Sequence, residues 1–238
     1  MKSCDLTIVT TALNEEQNVS LFLDRLRNFL ENSSLDYEVI FVDDGSTDKT
    51  FVNAMVYSDW DRLRVIRLQQ NAGTGAAIKH ALSVATGEWY TWIPSDLEIN
   101  PSSLAEPIKI RNGHDIIVTY FQDTKNRSVS RRLLSKAFTL VINLAFNLRL
   151  PYYNGITLMR INQMPFVKVR SNGFFFHAEL LLRSALVTNK IATCQIDHSP
   201  RNQGKTKAIK LKVFYDVAVC FSRLWWELRL KHSLWRQH

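Results

Sequence analysis

A doubly wound α/β domain on a mostly parallel sheet is what this sequence predicts, and three observations predict it. Short apolar runs of strand length recur at residues 6–10, 37–42, 63–68 and 88–93. Stretches of helical spacing separate them, an alternation that right-handed crossovers turn into a parallel sheet. Polar clusters close these strands at their C-terminal ends, where open α/β sheets bind ligands.

The first strand ends in Thr11-Ala12-Leu13-Asn14-Glu15-Glu16. In the second, Tyr37, Val39, Ile40, Phe41 and Val42 read as a strand covered on both faces, closed by Asp43-Asp44-Gly45-Ser46-Thr47-Asp48. Gly45 permits a tight turn, and Ser46, Thr47 or Asp48 can cap the helix expected over 48–57. A carboxylate at this position can accept hydrogen bonds from a ribose hydroxyl or a base N–H. A plain turn and helix cap explains the same residues equally well.

After the third strand, Asn71-Ala72-Gly73-Thr74-Gly75-Ala76-Ala77 opens a helix expected over 75–85, with Gly73 and Gly75 letting backbone approach a ligand such as a diphosphate. This is a partial G-x-G-x-x-G after the wrong strand, so no dinucleotide fingerprint is predicted. The fourth strand closes on Trp92-Ile93-Pro94-Ser95-Asp96-Leu97-Glu98. An extended backbone would set Asp96 and Glu98 on one side, a pair suited to a hard divalent cation, Mg2+ or Mn2+. Alternatively, Asp96 caps the helix that begins near Pro101.

Beyond lie an expected helix at 102–110, a strand at 115–120 and a long helix at 129–147. The long helix is basic at its start, where Arg131 and Ser135, one turn apart, can face one anion. His177 and Glu179 sit in an apolar helix, His177 as a structural histidine. Arg201, Lys205 and Lys207 share a basic loop with Gly204. Residues 208–238 read as a helical tail that interleaves cations with Trp225, Trp226 and Trp235, a composition suited to a membrane surface. The division expected is therefore a domain at 1–207 and an amphipathic helical tail at 208–238.

The 238 residues carry a net charge of +8, which points to anionic partners: phosphorylated substrates, an acidic membrane surface or nucleic acid. No RNA-binding motif occurs, so nucleic acid is not expected. Three cysteines without C-x-x-C spacing give neither a disulfide framework nor a zinc site. With no signal peptide at the start and no stretch of about 20 apolar residues, the expected location is cytoplasmic, peripheral to the cytoplasmic membrane face.

Together, Thr-Ala-Leu-Asn-Glu-Glu and Val-Asp-Asp-Gly-Ser-Thr-Asp resemble the opening of the family 2 glycosyltransferases, whose fold is the GT-A nucleotide-sugar-binding sheet. The family usually has Pro at Thr11. The resemblance spans most of residues 5–207. It implies a nucleotide-sugar donor, UDP- or GDP-linked, in a pocket formed by Thr11, Asn14, Glu15, Asp43, Asp44, Gly73 and Gly75, the last two matching the family's Asn-x-Gly-x-Gly-x-Ala element. It also implies Mg2+ or Mn2+ at Asp96 and Glu98, with Asp96 catalytic. The family's Asp-x-Asp has lost its first residue to Pro94, and Glu98 stands where Gln is usual.

Arg131 with Ser135 resembles the Arg-x-x-x-Ser element of the dolichyl-phosphate and polyprenyl-phosphate sugar synthases. The loop with Arg201 and Lys207 resembles that branch's Arg-x-x-Gly-x-Ser-Lys, with Thr206 for Ser. Both would hold phosphates, Arg201 stabilising charge during transfer. Tyr152-Tyr153-Asn154-Gly155-Ile156 resembles the branch's Gly-Phe segment, with Pro151 replacing an Asp.

The resemblance therefore implies an inverting transferase acting on a lipid phosphate, with room for a membrane-embedded partner subunit. A hydroxyl acceptor, with Glu179 as base, stays open, because a phosphate needs none and would leave Glu179 to position the site. A degenerate nucleotide- or nucleic-acid-binding protein, favoured by Pro94, also stays open.

Overall fold

The computed structural model describes residues 4–121, 129–164, 168–173, 175–196 and 211–235. Its strands are β1 (Cys4–Ala12), β2 (Tyr37–Asp43), β3 (Leu63–Arg67), β4 (Gly87–Trp92), β5 (Ile116–Phe121), β6 (Thr157–Arg160) and β7 (Ile191–Ile196). The helices are α1 (Val19–Glu31), α2 (Thr50–Met55), α3 (Thr74–Leu82), α4 (Ala105–Lys109), α5 (Val129–Phe146), α6 (Phe176–Ala185) and α7 (Leu211–Trp235).

One sheet runs in the order β3-β2-β1-β4-β6-β5-β7. β1 pairs in parallel with β2 and β4, β2 with β3, and β5 with β7, whereas β6 is antiparallel to both β4 and β5. The expected mostly parallel α/β sheet is therefore present.

The doubly wound form follows from strands that are apolar on both faces. Val9, Ile40, Val42, Tyr90 and Val118 enter one core with Ala77 and Ile78 of α3 and Leu181 of α6. Their neighbours Ile8, Val39, Phe41, Trp89 and Ile117 enter a second core with Phe22, Leu23, Leu26 and Leu30 of α1. Each such side chain, fully withdrawn from water, contributes roughly 1.5–3 kcal/mol before chain entropy is counted. From β1 the chain steps to β2 and β3 on one side and then crosses to β4 on the other. That reversal opens a crevice beyond the C-terminal ends of β1 and β4.

Several element bounds differ from the sequence expectation. The helix expected over 48–57 shrinks to α2, because Asp48 engages the N–H and hydroxyl of Thr50 and holds the preceding turn outside it. The helix expected over 102–110 opens as a 3-10 turn, Pro101–Leu104, in which Asn100 accepts the Ser102 N–H at 3.1 Å, and only then becomes α4. α3 begins at Thr74 and stops three residues short of Ala85. After α5, Asn143 accepts from the Leu150 N–H and the Tyr153 hydroxyl and donates to the Leu150 carbonyl, so the polar residue that interrupts the apolar run ties down the turn after it. Among the described residues, no helix is long and apolar enough to cross a membrane.

Candidate functional site

The loops that leave β1 and β2 are laced together at the crevice. The Asn14 N–H donates to Ser46 Oγ at 3.0 Å, and Asn14 Oδ1 accepts the Thr47 N–H at 3.0 Å. Asn14 reaches this position with a φ of 56°, a left-handed conformation that Asn tolerates better than most residues. The Glu15 N–H donates to Thr50 Oγ1, while the Glu15 carboxylate accepts from Asn18 Nδ2. Thr11 Oγ1 accepts the indole N–H of Trp92, joining the ends of β1 and β4. Asn14, Glu15 and Thr11 thus fix the geometry of these loops.

The two aspartates that end β2 are both buried. Asp43 Oδ1 accepts the Ser46 N–H, and Oδ2 lies 3.3 Å from Arg67 Nε yet accepts no hydrogen bond. A buried acceptor of this kind has capacity for a ligand N–H or hydroxyl. Asp44 clamps the glycine loop, accepting from the N–H groups of Ala72 at 2.8 Å and Gly73 at 3.0 Å. Burial pushes the Asp44 carboxyl up from its usual pKa, and those two N–H groups oppose the shift.

The structure adds a packing reason for the two glycines. A Cβ on Gly73, whose φ is 91°, would lie 2.5 Å from the Asn172 carbonyl oxygen, and one on Gly75 would lie 2.8 Å from the Phe176 ring. The segment entering α6 fills the space that a side chain at either position would need. The Gly75 N–H donates to the Asn172 carbonyl at 2.8 Å, and Lys79 Nζ donates to Asn172 Oδ1 at 2.9 Å.

The turn after β4 corrects an expectation from the sequence. The backbone does not stay extended from Asp96 to Glu98, because Leu97 adopts a φ of 61° and the Glu98 N–H donates to Asp96 Oδ1 at 3.1 Å. Ser95, buried, donates its hydroxyl to the Thr11 carbonyl and anchors this turn to β1. Among the described residues, no three His, Cys, Asp or Glu side chains group closely enough to hold a metal unaided. The hard oxygens of Asp96 and Glu98 nonetheless fit a divalent cation that draws its remaining ligands from water and a bound diphosphate, the usual habit of Mg2+.

Glu179 is buried in α6 and fully engaged. It accepts from the Arg170 N–H at 3.1 Å, the Ser171 N–H at 3.0 Å, the Ser171 hydroxyl at 2.5 Å and Arg183 Nε at 2.9 Å. Burial alone would raise its pKa, but the hydrogen bonds from Ser171, Arg170 and Arg183 prevail and hold it below the usual carboxylate value. Such a group positions the 170–172 segment and is a poor proton acceptor. His177 stacks on Trp92 with ring centres 4.2 Å apart, and burial lowers its pKa to about 4, so it is neutral at physiological pH.

Ser135 lies part-exposed on α5, whose first turn includes Arg131. Arg201 and Lys207 lie outside the described residues. Sequence reasoning missed Arg67, Asn172, Arg183 and Glu227. The four-residue spacing from Glu179 to Arg183 was a visible signal. The others meet their partners only through the fold.

The glycosyl transferase family 2 model matches residues 7–173, a range that includes the C-terminal ends of β1 to β4. The chain belongs to glycosyl transferase family 2. Within this family it is 26% identical over 212 residues to the dodecaprenyl-phosphate galacturonate synthase of Rhizobium johnstonii, covering 87% of this chain and 62% of that one. It is 25% identical over 231 residues to the dolichol-phosphate mannosyltransferase of Pyrococcus furiosus, covering 93% of this chain and 64% of the relative. The chain thus spans less than two thirds of the length of these family 2 relatives. Glucosyl-3-phosphoglycerate synthase from Mycobacterium tuberculosis shares the fold, with a TM-score of 0.68 at 18% identity over 91% of this chain and 80% of that one. The same enzyme has been solved with Mg2+ and uridine diphosphate.

Proposed function

We propose that the chain is the catalytic unit of an inverting glycosyltransferase that moves a sugar from a nucleoside diphosphate sugar to a polyprenyl or dolichyl phosphate, or a related lipid acceptor. The observation that carries this reading is the meeting of three polar loops and the Asp96 turn at the point where strand order reverses between β1 and β4. Asp43 has a buried acceptor atom for the nucleoside, and Asp44 sets the glycine loop beside it.

Asp96 and Glu98 would hold Mg2+ or Mn2+ against the diphosphate. When bound, such a cation neutralises charge on the departing group. Uridine diphosphate and Mg2+ in the structural neighbour support this assignment, and the relatives named for dodecaprenyl and dolichol phosphates support the acceptor class. The acceptor oxygen attacks the anomeric carbon from the face opposite the leaving diphosphate. Arg131, Ser135, Arg201 and Lys207 would hold phosphates during this step.

The state of Glu179 favours a phosphate acceptor over a hydroxyl. A phosphate is ionised at neutral pH and asks for no base, and the four hydrogen bonds to Glu179 leave it poorly disposed to be one. The protein would then work at the cytoplasmic membrane face, where such lipids present their phosphates.

Purified protein should be offered UDP- and GDP-sugars with Mn2+ or Mg2+, with and without a short-chain polyprenyl phosphate. Metal-dependent transfer that requires the lipid phosphate and collapses in Asp96→Ala is the expected result. No turnover of any donor under these conditions would defeat the reading.

A further inference from the structure

The net charge conceals a division of the chain. Before position 124 there are ten Lys and Arg against eighteen Asp and Glu, and from position 124 onward twenty against four. From Thr124 to Ala178 there are nine Lys and Arg and no acidic residue at all. Most of the nucleotide-crevice motifs belong to the acidic part. α5 and α7 belong to the basic part.

Those two helices also carry most of the exposed apolar surface among the described residues. Leu133, Leu140, Val141 and Leu144 on α5 are 63%, 58%, 51% and 75% exposed. With the exposed Ala137 they recur every three or four residues, on the face opposite the fully buried Ile142. On α7, Trp226 is 63% exposed. An open groove of about 900 Å3 separates the helices, lined by Val141, Leu144, Phe221, Trp225 and Trp226, with Arg223 at its edge. Of the exposed cations, Arg223 lines the groove, Lys136 lies on α5 and Arg149 in the turn that follows it.

A lone soluble domain seldom leaves so contiguous an apolar surface in water. We propose that the exposed face of α5 and α7 docks on an anionic lipid bilayer, with Leu140, Leu144 and Trp226 at the acyl boundary and the neighbouring cations among the headgroups. The inference deepens the lipid-acceptor reading and rests on it for the occupant. It assigns α5, not only the C-terminal tail, to the membrane.

Charge argues against a second copy as the occupant. A two-fold contact would set this basic face against itself. α5 offers no acidic residue, and of the two on α7, Glu227 is held by Arg183, leaving Asp216 to face the cations of a partner.

The test is co-sedimentation of the whole chain with phosphatidylglycerol/phosphatidylcholine vesicles and with phosphatidylcholine alone, without donor sugar. Binding is expected to the anionic vesicles, weakening with salt. In the double variant Leu140→Glu/Leu144→Glu, both changes being at exposed positions, affinity should fall about tenfold or more with the unfolding midpoint unchanged. Val56→Glu, an equally exposed apolar site on another surface, should bind as wild type.

Three results would overturn the proposal: equal binding by the double variant, no binding of wild type to anionic vesicles, or a dimer in solution that the double variant dissociates. Transfer to a soluble short-chain acceptor separates the two ideas. Vesicle binding without any transfer would sink the lipid-acceptor reading and leave the docking face. Transfer without vesicle binding would do the reverse.

Discussion

Arg183 of α6 meets Glu227 of α7 through both of its terminal nitrogens, at 3.2 and 3.0 Å, while its Nε holds Glu179 at 2.9 Å. One buried guanidinium therefore joins the C-terminal helix to the carboxylate that shapes the 170–172 segment. That segment in turn supplies Asn172, the partner of Gly75 and Lys79 at the glycine loop. The planar fork of Arg suits two carboxylates at once, which a lysine cannot match.

Arg183→Ala should leave two carboxylates without their common partner, one of them buried. We expect a loss of about 3–5 kcal/mol in urea unfolding, and only partial recovery in Arg183→Lys. A loss within 1 kcal/mol, the range of an exposed ion pair, would show that the network contributes little.

Glu179→Gln keeps the shape of the side chain and loses its charge. Because the folded pKa lies below the unfolded value, the charge stabilises the fold above about pH 4.3, and that contribution fades as pH falls through the folded pKa. The stability gap between wild type and variant should therefore be widest near neutrality and close in acid. For transfer, the expected effect is a higher donor KM with kcat less affected, since the residue positions the loop and does not move a proton.

His177 is neutral in the fold with a pKa of about 4, against 6.5 when unfolded. As pH falls from 6.5 toward 4, the unfolded chain takes up a proton that the folded chain refuses, so stability drops across this window. His177→Phe keeps a ring against Trp92 and should abolish that part of the slope, up to about 3 kcal/mol. Unchanged pH dependence in chemical unfolding would show that the ring is protonated in place.

Gly73→Ala places a methyl in a left-handed backbone, 2.5 Å from a carbonyl oxygen. Either the loop or the 172–176 segment must move, at a cost of about 1–3 kcal/mol. Donor affinity, measured calorimetrically with UDP and GDP, should weaken by about tenfold or more. Ala76→Gly, one turn further on, should affect stability only.

Pro94→Asp would place a third carboxylate near Asp96 and Glu98. The Mn2+ concentration giving half-maximal transfer should fall by about tenfold, because ligand charge sets the affinity of such sites. An unaltered metal dependence would mean that position 94 lies out of reach of the cation.

The early strands were legible because each joins a burst of branched and aromatic residues to a polar turn, and central parallel strands must be apolar on both faces. β6 escaped notice. It is four residues long and is held between β4 and β5, so its pairing depends on partners far away in sequence. β7, with Thr193 and Gln195 on one face, pairs among the described residues with β5 alone and carries a mixed pattern. In the crevice, Asp43, Asp44 and Asn14 could be named from their place after strands. The left-handed Leu97 could not, since nothing in Asp-Leu-Glu prescribes a positive φ. The Glu179 network was half visible, because Arg183 lies one turn away on the same helix and Glu227 forty-four residues beyond it.

The bond between Lys79 and Asn172 spans 93 positions, and the Gly75 N–H depends on the same distant residue. During synthesis, every early motif leaves the ribosome long before the residues that brace the glycine loop. A nascent chain paused after β4 would display the family's opening signatures in full and still lack a finished nucleotide crevice. On the proposed reading, competence for the donor is thus expected to arrive late, when α6 docks.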